Sequence, residues 1–273
     1  NLLDETGTAA YTETGTWSLK AIQEARLYGT VSIAGSSQST GYTSIPKQLD
    51  VDPRSAYLHL TSNETIAGTQ CHQFPYECGV PLVADMSSDI LSRKIDFHRF
   101  GLIYAGAQKN LGAAGVSIVV VNAQLLGKVN RKLPSLFDYS RQITEGSMLN
   151  TPPVFAIYVV LLTLRWLKKM GGVAGIEPLN RKKAALVYDT IDALPLYHCP
   201  NAREDRSMMN VVFVLKKKEL EAEFLNLCRE NGMVGVQGHR SVGGCRLSLY
   251  NALPYSSVEA MVALMKDFAQ RKG

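Results

Sequence analysis

Three features of the sequence predict an α/β fold. The first is a series of strand-like runs at residues 30–33, 57–60, 80–84, 101–106 and 116–121, of which 80–84 and 101–106 are short apolar runs. Runs that are apolar throughout, rather than alternating, suit strands buried on both faces of a parallel sheet. The second is that helical segments are interleaved with strand-like runs, a pattern that resumes beyond residue 171. The third is chemical: run 80–84 stops at Asp85, and run 101–106 is followed by Lys109. Ligands of open α/β sheets bind at the carboxyl ends of strands, so an acid and an amine are delivered to one edge. This reading divides the chain into a larger unit at 1–170, with a mainly parallel sheet, and a smaller C-terminal α/β unit at 171–273.

The elements follow in order. Gly15-Thr16-Trp17-Ser18 reads as a loop, with Ser18 as the N-cap of a helix reaching about Tyr28 and with Ile22, Ala25 and Leu27 near one face. Trp17 then stands at a strand-to-helix junction, as a core aromatic or as a stacking surface for a flat ring. After the strand at 30–33, residues 34–52 are rich in Gly, Ser and Thr and form a surface loop. The strand at 57–60 leads into Thr61-Ser62-Asn63-Glu64-Thr65, a polar cluster suited to contacting a ligand or to capping a following helix. Beyond Lys109, Leu111-Gly112-Ala113-Ala114-Gly115 lets the backbone approach a neighbour closely. A strand at 116–121, a short helix at 123–128 and an irregular stretch at 130–150 come next. Thr151-Pro152-Pro153 opens the longest apolar helix, with proline where a first turn tolerates it, and Gly171-Gly172 ends it. The smaller unit then reads as a helix at 176–193, a strand at 209–215, an amphipathic helix at 217–230, short strands at 234–236 and 245–250, and a closing helix at 258–271.

Composition narrows the function classes. A chain of 273 residues, 46% hydrophobic and 19% charged, buries a large core. The net charge of +5 is mild, and Lys and Arg are scattered apart from runs such as Lys216-Lys217-Lys218. That pattern fits anionic small molecules and not nucleic acid. The five cysteines (Cys71, Cys78, Cys199, Cys228 and Cys245) are odd in number and include no CxxC pair. They argue against a disulfide framework or a zinc site and for a reducing, cytoplasmic compartment. His59, within a strand-like run, reads as a core residue. The apolar segment 154–167 contains Thr163 and Arg165, is too short to span a bilayer and reads as a buried helix. No membrane role is expected.

Two clusters carry chemistry. A buried lysine near a carboxylate suits pyridoxal phosphate: the amine makes the Schiff base, and the acid keeps the pyridine nitrogen protonated. The same pair would also serve as a structural ion pair at a strand end. In the smaller unit, Gly238-His239-Arg240-Ser241-Val242-Gly243-Gly244-Cys245-Arg246 sets two arginines around a Gly-rich turn. Arginine forks bind carboxylate or phosphate in bidentate fashion, and a basic hairpin turn in solvent is the alternative.

Together these pieces resemble the phosphoserine aminotransferase family, within the class V, fold type I pyridoxal-phosphate aminotransferases. The motifs that carry the resemblance are Trp17-Ser18-Leu19-Lys20-Ala21, Asn63-Glu64-Thr65-Ile66-Ala67-Gly68, Ala84-Asp85-Met86-Ser87-Ser88, Gly106-Ala107-Gln108-Lys109-Asn110, Asn150-Thr151-Pro152-Pro153, Arg206-Ser207-Met208-Met209-Asn210, the Gly238-to-Gly244 turn with Arg246, and Tyr250-Asn251-Ala252. Singly each is weak; in this order the set is specific. The resemblance implies a pyridoxal 5′-phosphate enzyme whose larger domain binds the cofactor. It implies that Lys109 holds the cofactor as a Schiff base and shuttles the substrate proton, and that Asp85 pairs with the pyridinium nitrogen. Trp17 would stack on the ring, Thr65 would bond the phenolic oxygen, and Gln108 would contact the cofactor phosphate. Asn150 and Thr151 would reach the cofactor phosphate of a neighbouring subunit, making the enzyme a homodimer with composite sites. His239 and Arg240 would hold the substrate phosphate or the glutamate side-chain carboxylate, and Arg246 the α-carboxylate.

The implied reaction moves an amino group reversibly between L-glutamate and 3-phosphohydroxypyruvate in serine biosynthesis. The family also serves pyridoxine biosynthesis in many bacteria. Leu149 departs from a tyrosine common in the family. The resemblance further implies that the family's N-terminal segment, with a substrate-binding arginine and a Gly-rich phosphate turn, is missing, and a chain that starts at Asn1 would then bind cofactor weakly and turn over poorly. The rival readings are another class V enzyme, such as an alanine–glyoxylate aminotransferase or a cysteine desulfurase, and a non-catalytic truncated fragment that still dimerises. His239-Arg240 argues against the first, because those substrates carry no phosphate, and no cysteine here sits in a recognisable desulfurase loop.

Overall fold

The computed structural model describes all 273 residues. Strand β1 (Thr8–Glu13) leads into helix α1 (Thr16–Ala25), and β2 (Thr30–Ser36) and β3 (Leu58–Thr61) follow. A two-stranded hairpin of β4 (Asn63–Glu64) and β5 (Thr69–Gln70) comes before β6 (Leu82–Asp85), β7 (Leu102–Gly106) and β8 (Ser117–Val121). The main sheet has the order β2-β1-β3-β6-β7-β8. All its neighbours are parallel except β8, which runs antiparallel to β7. Parallel strands need long crossovers, and here these bring α1 and several loops onto the faces of the sheet.

Strand β1 has no counterpart in the sequence reading. Thr-Ala-Ala-Tyr-Thr-Glu has no apolar run, yet β1 lies inside the sheet with Ala9 and Ala10 fully buried. Small side chains there let neighbouring elements pack closely. Helix α1 also begins earlier than expected: its N-cap is Gly15, and Ser18 lies inside the first turn, its Oγ accepting from the amides of Thr14 (2.8 Å) and Gly15 (2.9 Å). Leu27 lies past the helix end and is 74% exposed rather than on the packed face. No helix follows the polar cluster after β3; the chain turns back as the β4–β5 hairpin.

The stretch expected to be irregular contains the short helix α2 (Tyr139–Thr144), because Asp138 accepts from the amides of Ser140 and Arg141 and caps it. The long apolar helix is α3 (Val154–Lys169). It is not buried within the chain: Phe155 is 76% exposed and Val154 69%, while Ala156, Val160 and Leu167 face the core. Helix α4 (Gly172–Ala193), β9 (Tyr197–His198), β10 (Asn210–Leu215), α5 (Glu221–Glu230), β11 (Cys245–Ser248) and α6 (Tyr255–Lys272) complete the chain. Strands β11-β10-β9 form a separate antiparallel sheet. The strand expected at 234–236 is absent: Val234 is 85% exposed, and the sheet reaches this segment only through a bridge between Gln237 and Cys245.

The largest core cluster belongs to this second sheet and its helices, with Phe213, Phe224, Phe268 and Tyr197 in edge-to-face contact. Two further clusters lie on the main sheet, one around Leu58, Ile103 and Leu111, the other around Tyr11, Ile22 and Val83. His59 is a buried core residue, stacked on Tyr11 at 4.6 Å, with Nε2 2.9 Å from the Tyr104 hydroxyl. Burial lowers its pKa to about 3, so it is neutral.

Candidate functional site

The carboxyl edge of the main sheet gathers the candidate residues. Thr61, Asp85 and Tyr104 are register partners across β3, β6 and β7, so Asp85 sits in the middle of that edge. Its Oδ1 accepts from the Ser87 amide (2.9 Å) and the Ser87 hydroxyl (2.6 Å). The same hydroxyl accepts from the Gly106 amide (3.0 Å), which ties the acid to the end of β7. Asp85 Oδ2 has no partner in the chain.

Lys109 lies in the turn that follows β7 and is half-buried. Its Nζ stands 4.7 Å from the centroid of the Trp17 ring and takes part in no hydrogen bond or ion pair, Asp85 included. Burial lowers its pKa, an effect opposed by the carboxylates of Asp85 and Glu64 and reinforced by Arg246. An amine shifted this way has a larger neutral, nucleophilic fraction near neutral pH.

Trp17 occupies the first turn of α1, and its indole Nε1 donates to Thr65 Oγ1 at 2.8 Å. Thr65 is buried, and its own hydroxyl proton has no acceptor in the chain. Its carbonyl accepts from Arg246 Nη1 (3.3 Å), while Arg246 Nε is buried without a partner. Arg246 arrives from β11, where it is paired with Val212. One chain thus brings Trp17, Thr65, Asp85, Lys109 and Arg246 together.

The other candidates stand apart. Gln108 is exposed, with its amide folded against Gly106 so that a Cβ there would lie 2.6 Å from Oε1. His239 is half-buried, with Nδ1 2.7 Å from Ser241 Oγ, and Arg240 is exposed without a polar partner. Their loop is tight: the amides of Val242 and Gly243 donate to the His239 carbonyl, and Gly243 and Gly244 take positive φ of 75° and 66°. Asn150 and Thr151 are exposed, and their one side-chain hydrogen bond runs from Asn150 Nδ2 to Thr151 O (3.4 Å). No hydrogen bond links either to the cluster. A cavity of about 780 Å³ lies beside Lys47, His72, Phe74 and Asp205, and none of these candidate side chains lines it.

Two site residues escaped the sequence reading. Ser87 orients Asp85, and its signal was a hydroxyl two residues after an acid, the spacing of a local side-chain-to-backbone turn. Glu64 is fully buried, and its carboxylate accepts from the amides of Trp17 (3.1 Å) and Ser18 (2.9 Å). Its signal was a carboxylate directly after a buried strand.

Residues 1–261 match the family described as aminotransferase class-V. The phosphoserine aminotransferase of Flavobacterium johnsoniae is 51% identical, over 97% of this chain and 74% of its own length. The solved phosphoserine aminotransferase of Bacillus circulans subsp. alkalophilus aligns with a TM-score of 0.97 and 47% identity, over 100% of this chain and 76% of that one. The pyridoxal-phosphate-bound phosphoserine aminotransferase of Trichomonas vaginalis aligns with a TM-score of 0.91 and 36% identity, over 97% of this chain and 77% of that one.

Proposed function

The chain belongs to the class-V aminotransferase family, and within it we propose that it transfers an amino group reversibly between L-glutamate and 3-phosphohydroxypyruvate, giving 2-oxoglutarate and O-phospho-L-serine. The observation that carries this reading is the unpartnered Lys109 amine beside the Trp17 ring, one strand end from Asp85. Relatives named phosphoserine aminotransferase at about half identity over nearly the whole chain support the substrate.

Pyridoxal 5′-phosphate fits the residues present. Three polar groups at the strand edge lack partners in the chain: the Lys109 amine, Asp85 Oδ2 and the Thr65 hydroxyl proton. They match the aldehyde, the protonated pyridine nitrogen and the phenolic oxygen. When bound, the cofactor supplies a carbonyl that condenses with amines and a ring that withdraws electrons. In this reading Asp85 holds the proton on the ring nitrogen, with Ser87 fixing its carboxylate. Trp17 covers one ring face and excludes water. Lys109 Nζ carries the proton to and from the substrate α-carbon. Arg246, with its Nε unpaired, grips the α-carboxylate, and His239 and Arg240 take the distal phosphate.

Gln108 is proposed to meet the cofactor phosphate, as are Asn150 and Thr151 in the site of a second copy. The exposed apolar face of α3, directly after Thr151, supports a homodimer. Helix N-termini suit phosphate, which agrees with that placement. No helix is long and apolar enough to cross a membrane. The five free cysteines support a cytoplasmic home for serine biosynthesis, and pyridoxine biosynthesis would use the same phosphate contacts on another substrate.

The test separates the two arginines. A charge-assisted hydrogen bond is worth about 1.5–3 kcal/mol, and more when its partner would be left buried and unpaired. Arg240→Ala should therefore lower kcat/KM for 3-phosphohydroxypyruvate by roughly tenfold to several hundredfold. Hydroxypyruvate, which has no phosphate, should be far less affected, while Arg246→Ala should damage both half-reactions. Equal losses for the two acceptors in Arg240→Ala would remove the phosphoserine assignment and leave a generic class V aminotransferase.

A further inference from the structure

We propose that Glu64 is a positioning residue: with the Thr65 hydroxyl, it fixes the plane of Trp17 at the cofactor site. The inference rests on the reading of Trp17 as the residue that covers the cofactor ring.

Glu64 has no solvent exposure. A buried carboxylate is costly unless its oxygens are hydrogen-bonded. Here each oxygen accepts from one backbone amide, Oε2 from Trp17 and Oε1 from Ser18. These amides are among the first-turn donors of α1 that no carbonyl of the helix can reach, at the end where the helix dipole favours negative charge. A helix start is ordinarily served by a polar side chain at the N-cap. The N-cap here is Gly15, and a Cβ on it would lie 2.7 Å from Glu64 Cδ. A side chain at position 15 and the carboxylate of Glu64 therefore compete for one space, and the chain uses the carboxylate.

What the distant acceptor adds is a fixed relation between α1 and the hairpin strand. Thr65, the next residue, accepts the indole Nε1–H at 2.8 Å. Two consecutive residues of one segment thus hold Trp17 at both ends, at its backbone amide and at the far edge of its ring. A tryptophan has two side-chain torsions, and pinning both ends leaves one ring orientation. That orientation puts the ring face 4.7 Å from Lys109 Nζ. The bond from the indole uses a lone pair of the Thr65 hydroxyl and leaves its proton free for another acceptor. The Thr65 carbonyl meanwhile accepts from Arg246. A carboxylate is required because two amides need two acceptors. Glutamine offers one oxygen and would turn its NH2 against the second amide.

The experiment uses the pyridoxal-phosphate-loaded protein and its cofactor-free form, in a Trp166→Phe background that leaves Trp17 as the one indole of the two in the chain. Glu64→Gln is expected to shift Trp17 emission in the cofactor-free form. It should also weaken cofactor binding, followed by absorbance, by roughly ten- to a hundredfold. With Trp17→Phe already present, the same Glu64→Gln change should weaken binding by less than about threefold, since the ring contact to Thr65 is gone. An unchanged emission, or an equal loss of cofactor affinity with and without the indole, would overturn the proposal and leave Glu64 as a support of α1 alone. Should Glu64→Gln not fold, Thr65→Val carries the test in the cofactor-free form, where it removes the ring anchor and leaves the two amide bonds to Glu64 in place. The Trp17 emission is again expected to shift, and its constancy is again the overturning result. A wild-type protein that bound no pyridoxal phosphate would defeat the functional reading instead, while the emission of the cofactor-free form would still report on the clamp.

Discussion

Lys109 is shaped by competition between desolvation and charge. Its burial disfavours the ammonium, and the carboxylates of Asp85 and Glu64 pull the other way without restoring the ordinary value. The sign is that of a lysine with a lowered folded-state pKa, so the neutral amine is present at lower pH than for a surface lysine. Borohydride reduction of the cofactor-loaded protein should therefore fix the pyridoxyl group on the peptide containing Gln108-Lys109-Asn110. Lys109→Ala should keep the cofactor only noncovalently and lose on the order of 10²–10⁴ in rate, the usual scale of a general acid–base. A reduced label on another lysine would end the assignment. Lys109 and Asp85 were legible in the sequence because each follows an apolar run that ends at the sheet edge. Glu64 and Ser87 were not, because what they do depends on partners the sequence does not set beside them. Glu64 meets Trp17 across 47 residues. Ser87 meets the end of β7 across 19.

At the scale of elements, β6 and β7 were readable from their apolar runs, and β1 was not, since two alanines and a tyrosine between threonines give no such run. Helix α3 shows a different limit. Its sequence is apolar on nearly all sides, which fixes that it is covered but not by what. The structure leaves Val154, Phe155, Ile157, Tyr158, Leu161 and Leu162 exposed, and Leu136, Phe137, Ile143 and Met148, in the stretch of chain before α3, are exposed too. An apolar helix face left exposed in this way marks an interaction site, and a second copy is the proposed cover. Phe155→Glu should place a charge in that interface and shift the assembly toward monomer, read by sedimentation velocity. Activity should fall with it, since Asn150 and Thr151 would lose the neighbouring site. A wild-type protein that sediments as a fully active monomer would contradict the composite-site reading.

Across the whole molecule, buried polar side chains join the second core to the main sheet. Asn180 donates to the Ser92 carbonyl and to Asn251 Oδ1, Asn251 Nδ2 donates to Leu91 O, and the Asn251 amide donates to Asn110 Oδ1 at 2.9 Å. Asn110 is the neighbour of Lys109, and Asn251 lies just past β11, which carries Arg246. The chain of bonds therefore fixes the Lys109 amine relative to Arg246. Behind it, Lys183 is fully buried and donates to the carbonyls of Leu249, Tyr250 and Leu253. Burial lowers its pKa to about 8 from the ordinary lysine value of 10.5. Between those values the unfolded chain holds a proton that the folded chain has released, so stability rises with pH across that window. The cost of burying the ammonium is fully present below about pH 8 and is relieved as pH climbs toward 10.5. Lys183→Met removes the titrating group. Urea unfolding of both proteins at pH 7 and pH 9.5 should show the wild type gaining relative to the variant at the higher pH, by on the order of 1–2 kcal/mol from the part of the shift that window covers. The difference, and not either curve alone, is the quantity to read, because buried tyrosines such as Tyr11 and Tyr104 have raised pKa values and drive stability down at still higher pH in both proteins alike. Parallel behaviour of wild type and variant between the two pH values would mean that the three carbonyl bonds already compensate the buried charge.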